Sequence, residues 1–317
     1  MSLRLRLLNL GLRLLVKPAL RRLRDPLVFR ARLERTAGRI FTPPRGAHFV
    51  VDSVRRPETT GTQGHIDTVW ASVGRPDRRR LILYLHGGAY LAGSGNTHRH
   101  LAAALGKAAG ARAMVPDYRL APEHPFPAAL EDAALCYRAL LETGYDPMDI
   151  AVAGDSAGGG LAFCLLQKLA AENVPPPACA VAFSPWADLT GESDTLVRNA
   201  ARDVMLPASR MSEVTDFIMA GHDRADPFAS PVLGRWRDPP PAMIMASRHE
   251  ILLGDAVNLA EALRMGGGDV QLELWRHTPH AWPIFVGRLA EADAAVAHAG
   301  SFISRHLGII PMETAAE

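Results

Sequence analysis

Only three cysteines, Cys136, Cys164 and Cys179, occur in the 317 residues. The number is odd and each lies in an apolar run, so a disulfide framework is excluded as the basis of the fold. Buried thiols in a reducing compartment, the cytoplasm, are expected instead. Net charge is equally sparing: the formal balance is only +2. No excess of either sign suggests a nucleic-acid partner. No apolar run is long enough to span a bilayer, and no internal repeat is visible. What is abundant is apolar residue, 48% of the chain, enough for a large core.

Residues 1–44 differ in composition from the rest. Leu3, Leu7, Leu10 and Leu14 recur at helical spacing, interleaved with Arg4, Arg6, Arg13 and Lys17, and Pro18 can open a second helix. Arginine is spread throughout rather than preceding an apolar stretch, so the segment does not read as a secretory signal. Leucines and arginines alternate too closely for one clean polar face. A cap packed over an active site is therefore the favoured reading. The alternative is peripheral membrane contact through a basic amphipathic helix.

From residue 48 the pattern turns to strands. Residues 48–54 and 65–73 suit an opening antiparallel pair, followed by strands at 81–85, 113–115, 150–153, 180–183, 242–246 and 270–275. Helical runs at 96–109, 128–141, 160–171, 255–265 and 288–306 separate them. Alternating elements with strands that are apolar throughout specify an α/β fold: a mostly parallel central sheet covered by helices on both faces. The alternation lapses between residues 188 and about 241, where only 210–220 is helical. The division expected is an N-terminal cap segment, 1–44, and a catalytic domain, 45–317, with a cap insertion at about 189–225.

Gly154-Asp155-Ser156-Ala157-Gly158 lies between the strand at 150 and the helix that follows. Gly-x-Ser-x-Gly in that context is a nucleophile elbow. The serine sits on a sharp, strained turn, and the flanking glycines remove β-carbons that would clash where strand and helix approach. The helix N-terminus supplies the N–H of Ala157 to an oxyanion. His86-Gly87-Gly88-Ala89-Tyr90 follows the strand at 81. Gly87 and Gly88 are the expected further oxyanion donors, with His86 bracing the loop. His86, His98 and His100 have no carboxylate in ligand spacing, so no metal is expected.

A base must come from a later strand end, after the acid. His280 follows the strand at 270–275 by a short loop; His277 competes with it. Glu250 follows the strand at 242–246 and is favoured as the acid over Asp255, which is expected to cap the next helix.

With these stretches together, the chain resembles the hormone-sensitive-lipase-like family of α/β-hydrolases, in its bacterial carboxylesterase branch. The likeness rests on His86-Gly87-Gly88-Ala89-Tyr90, the run Asp117-Tyr118-Arg119-Leu120-Ala121-Pro122-Glu123-His124-Pro125-Phe126-Pro127, Gly154-Asp155-Ser156-Ala157-Gly158-Gly159, Ser184-Pro185-Trp186-Ala187-Asp188-Leu189, Glu250-Ile251-Leu252-Leu253 and His280. It implies a cap made of the N-terminal segment and a later insertion, ester hydrolysis without a cofactor, and a homodimer. Two departures stand out. Ala89 replaces a third glycine in the oxyanion loop, and Glu250 stands where many members carry Asp. Asp117 and Arg119 look structural, as an internal ion pair.

The activity expected is that of a serine carboxylesterase acting on short- to medium-chain acyl esters, with Ser156, Glu250 and His280 as triad. A lactone hydrolase using the same groups is the alternative. A non-catalytic ligand-binding module is disfavoured by the presence of His280. Tyr90, Trp186 and Trp282 lie near catalytic stretches and are expected to line the pocket, with Met205, Phe217 and Ile218 closing it from the insertion.

Overall fold

The computed structural model describes residues 1–56 and 64–309. Eight strands form one sheet: β1 (Ala47–Arg55), β2 (His65–Val73), β3 (Asp77–Leu85), β4 (Ala111–Pro116), β5 (Ile150–Asp155), β6 (Cys179–Phe183), β7 (Ala242–Ser247) and β8 (Val270–Trp275). Their order across the sheet is β1-β2-β4-β3-β5-β6-β7-β8. The β1–β2 and β2–β4 pairs are antiparallel, and every pair from β4–β3 onward is parallel.

Side-chain alternation along the strands divides the core in two. Leu81, Leu83, Leu85 and Val152 face one side, where α5 (Ala128–Glu142), α6 (Ser156–Ala171) and α9 (Leu253–Met265) pack. Ile82, Tyr84, Val181 and Met245 face the other, against α4 (Gly95–Ala109) and α10 (Ala290–His306). Because both faces are covered, the central strands carry no polar alternation, and this is why they were legible as continuous apolar runs.

Most of the first 40 residues are helical: α1 (Leu3–Gly11) runs through a π turn (Leu12–Val16) into α2 (Lys17–Arg22), and α3 (Pro26–Ile40) follows after a short break. The helix α3 was not foreseen, although its start is marked in the sequence. Asp25 Oδ1 accepts from Leu27 and Val28 N–H, and Pro26 occupies the first turn, where its missing N–H costs nothing. Between β6 and β7 lie α7 (Thr195–Arg198) and α8 (Met211–Met219). Arg210 links this insertion to the N-terminal helices. Its guanidinium is almost fully buried and donates to the carbonyls of Arg21 and Leu23, at 3.0 and 2.6 Å, which end α2. Lys17 reaches the other way, to the carbonyls of Ala200 and Asp203. Arg119 pairs with Asp132 at 2.9 Å, whereas Asp117 accepts from the N–H of Gly95, so the pairing expected of Asp117 and Arg119 is replaced by these contacts.

Candidate active site

The turn from β5 into α6 carries Ser156 with φ +53°, a strained conformation for a residue with a side chain. The helix begins at Ser156 itself, four residues before the start expected from sequence. The flanking glycines have the steric role foreseen. A β-carbon on Gly158 would stand 2.1 Å from Leu85 O, and one on Gly154 would stand 2.4 Å from Gly158 O.

His280 Nε2 lies 2.8 Å from Ser156 Oγ, and His280 Nδ1 lies 2.5 Å from Glu250 Oε2. An ionised carboxylate only accepts, so Nδ1–H donates to Glu250 and Nε2 is left to accept the serine proton. Burial disfavours the charged form of His280. The hydrogen bond and charge of Glu250 outweigh burial and hold the ring above its ordinary value. His277 is elsewhere: its ring rests against His249 and its carbonyl accepts from Asn9.

Asp255 does not meet His280, nor does it cap α9. Its carboxylate accepts from the N–H groups of Ala187 and Asp188, both at 3.0 Å, and braces the loop after β6. Burial, with Asp188 nearby, pushes its carboxyl well above the usual range.

The oxyanion loop corrects the sequence reading at one position. The Gly87 N–H donates to Asp155 Oδ1 at 3.1 Å and is not free for a substrate. Asp155 also accepts from Tyr84 Oη, at 2.8 Å, so this buried carboxylate fixes the loop from below. The Gly87 carbonyl faces His86 Nδ1 at 2.9 Å, and the Gly88 carbonyl accepts from Leu91 and Ala92 N–H. In a trans peptide the N–H points opposite the carbonyl. The N–H groups of Gly88 and Ala89 are therefore turned away from these partners. Ala89 holds φ +57° despite its β-carbon and lines the same pocket as Ser156. His86 braces the loop as expected: its ring stacks on Tyr118 at 4.1 Å, and burial lowers it to about 3, so it stays neutral.

The pocket above Ser156 encloses about 750 Å³, its open mouth included. Trp186 and Phe217 line it, as expected, together with Leu20, Leu23 and Phe29 of the N-terminal helices and Leu206, Met211 and Val214 of the insertion. Four expected residues are not there. Trp282 is fully buried in the core on the α4 and α10 side, tilted against Trp275 and donating to Glu291 O. Tyr90 and Ile218 line a separate, smaller void beside Phe126. Met205 is not part of the pocket wall, to which its neighbour Leu206 contributes.

Sequence reasoning missed Ser184. It directly follows β6, at φ +50°, fully buried, with Oγ donating to Glu250 Oε1 at 2.9 Å and accepting from Ala281 N–H at 3.0 Å. One hydroxyl thus joins the carboxylate to the residue beside His280. Ser247 N–H holds the same Oε1 at 2.6 Å. Ser184→Ala should lower kcat about tenfold with little change in KM, the effect of one hydrogen bond to a charged group. An unchanged kcat in a variant of normal melting temperature would show that Ser247 suffices.

Residues 82–284 match the family described as the alpha/beta hydrolase fold. An acetyl-hydrolase of Streptomyces hygroscopicus is 42% identical over 252 residues, 80% of this chain and 84% of that protein. The esterase LipU of Mycobacterium tuberculosis is 34% identical over 73% of this chain and 79% of its own. The crystal structure of EstE5 soaked with p-nitrophenyl butyrate superposes with TM-score 0.89 at 32% identity, covering 97% of this chain and all of its own. An esterase structure from the bacterial hormone-sensitive lipase family matches equally well. The chain belongs to the hormone-sensitive-lipase-like family of α/β-hydrolases. The relatives named here are called acetyl-hydrolase or esterase, and this chain is a hydrolase acting on ester bonds. Among the described residues of this hydrolase, no helix is long and apolar enough to cross a membrane.

Proposed function

We propose that this hydrolase is a serine carboxylesterase for short- to medium-chain acyl esters, working through an acyl-enzyme. The observation that carries this reading is the unbroken chain Ser156 Oγ, His280, Glu250, at 2.8 and 2.5 Å, opening into an apolar pocket. His280 Nε2 takes the serine proton as Oγ attacks the ester carbonyl. The oxyanion is received by the N–H groups of Gly88, Ala89 and Ala157. The last belongs to the first turn of α6, whose N–H groups have no partner within the helix. His280, now charged and held by Glu250, returns the proton to the leaving alcohol. Water attacks the acyl-enzyme by the same route and frees Ser156 with the carboxylic acid. No group beyond these side chains and backbone N–H donors is called on. The three buried thiols suit a cytoplasmic setting.

Chain-length preference follows from the pocket. Each methylene that finds apolar wall adds about 0.8 kcal/mol, roughly fourfold in kcat/KM, until the wall ends. With p-nitrophenyl esters, kcat/KM should climb to acyl chains of roughly four to eight carbons and then fall. The names acetyl-hydrolase and ethyl acetate hydrolase among the relatives agree with small acyl groups. Phe217→Ala should move the optimum to longer chains, whereas Met205→Ala, off the pocket wall, should leave it in place. A wild-type optimum on long-chain emulsified triglycerides, unmoved by Phe217→Ala, would refute this account of the pocket. Lactones run beside the ester panel decide the substrate class: kcat/KM higher on a lactone than on every open-chain ester would make the enzyme a lactone hydrolase.

A further inference from the structure

The helices that roof the pocket carry an outward face that the ester chemistry does not use. Leu3, Leu7, Leu10 and Leu14 are between 54% and 71% exposed. At 3.6 residues per turn they fall within an arc of about 60°, so they form one stripe. Single exposed leucines are ordinary, but an aligned set is not. The opposite face of the same helix is already satisfied: Leu5 is 1% exposed in the core, and Leu12 is buried too. Polar ties hold that face to the body, from Ser2 to Glu291, Asn9 to the His277 carbonyl, Arg13 to the Ala201 and Arg202 carbonyls, and Lys17 to Ala200 and Asp203. The leucine stripe is thus presented outward by a helix whose orientation is fixed.

Its charge says what covers it. Residues 1–24 contain seven basic side chains and no acidic one. Arg4 and Arg6 are exposed along the stripe, Arg21 and Arg22 are exposed further along, and Arg24, also exposed, pairs with Glu213. A second copy of this helix would set like charges against each other. An anionic lipid surface meets both features: the interfacial acyl region takes the leucines, and headgroup phosphates take the guanidiniums. We propose that the α1–α2 face is a docking surface for anionic membranes. The same helical run ends in Leu20 and Leu23, which line the active-site pocket. Leu14 and Leu20 are six residues apart, about 9 Å along a helix. Docking therefore brings the pocket close to the lipid headgroups.

The test uses the full chain with sedimenting vesicles of phosphatidylcholine alone or mixed equally with phosphatidylglycerol. Wild type should bind the mixed vesicles at least tenfold more tightly than the neutral ones, and added salt should weaken that binding. Leu7→Ser, Leu10→Ser and Leu14→Ser together should reduce mixed-vesicle binding at least tenfold, with unchanged hydrolysis of p-nitrophenyl butyrate. Arg4→Glu with Arg6→Glu, which replaces two exposed side chains, should abolish the preference for anionic lipid, since each basic residue near such a surface is worth about fivefold. Failure of wild type to bind mixed vesicles, or equal binding to neutral ones, would overturn the proposal. So would a wild-type dimer that the triple serine variant converts to monomer, because a second copy would then own the stripe.

Discussion

Ser156→Ala should lower hydrolysis of p-nitrophenyl butyrate by on the order of 10⁴-fold or more, with the melting temperature close to that of wild type. The Oγ contributes one side-chain hydrogen bond, to His280 Nε2, and lies at the floor of the open pocket. Removing it therefore leaves no closed cavity. The backbone at φ +53° is no easier for alanine than for serine, so strain neither rises nor falls. The oxyanion donors, the apolar wall and the His280–Glu250 pair all remain. Only the nucleophile is gone, and water held near His280 is a poor substitute. Stopped-flow release of p-nitrophenol, with excess enzyme, separates a slow first acylation from contaminating wild type. Activity within about tenfold of wild type would place the nucleophile elsewhere.

Those parts of the site that sterics dictate were legible in the sequence. Gly154 and Gly158 are required by contacts of 2.4 and 2.1 Å that any β-carbon would make, and that demand surfaces as spacing. The strands were legible because burial on both faces leaves no room for polar residues. What was misread depends on direction, which spacing does not carry. Gly87 and Ala89 flank Gly88 in one short loop, yet the N–H of Gly87 is spent on Asp155, while Ala89 faces the pocket. Trp282 is two residues from His280, but a turn at Ala281, with φ +48°, sends its ring to the far side of the sheet. Leu206 replaces Met205 on the pocket wall for a similar reason: Asp203 Oδ1 takes the N–H groups of both residues and fixes the turn. Ser184 opens one of the stretches that carry the family likeness, yet nothing in it marked a contact with Glu250, because a serine just past a strand is usually a simple turn residue.

Glu250→Gln should lower kcat by about 10⁴-fold, the loss known when the acid of a serine protease triad becomes an amide, whereas Asp255→Asn should keep kcat within a few-fold. The two carboxyls sit five residues apart but do opposite work. In the glutamine variant, the amide oxygen is held where Ser184 Oγ and Ser247 N–H donate, so the amide nitrogen faces His280 Nδ1. Two donors then confront each other. The ring escapes by placing its proton on Nε2, the atom that must accept from Ser156, and the base is lost. Asp255 instead accepts two backbone N–H groups, and burial, with Asp188 nearby, pushes its carboxyl well above the usual range, so loss of the charge costs less there than at Glu250. Asparagine keeps an acceptor there at similar size. The pH profile gives a second readout. In wild type, activity falls as pH drops and His280 charges, and Glu250 raises that transition above the ordinary imidazole value. Glutamine removes the raising influence and leaves burial, which favours the neutral ring. The acid limb of the residual kcat/KM should therefore move to lower pH in Glu250→Gln and stay in place in Asp255→Asn. A large loss of kcat in Asp255→Asn with a near-normal Glu250→Gln, both at wild-type melting temperature, would transfer the acid's role from Glu250 to Asp255.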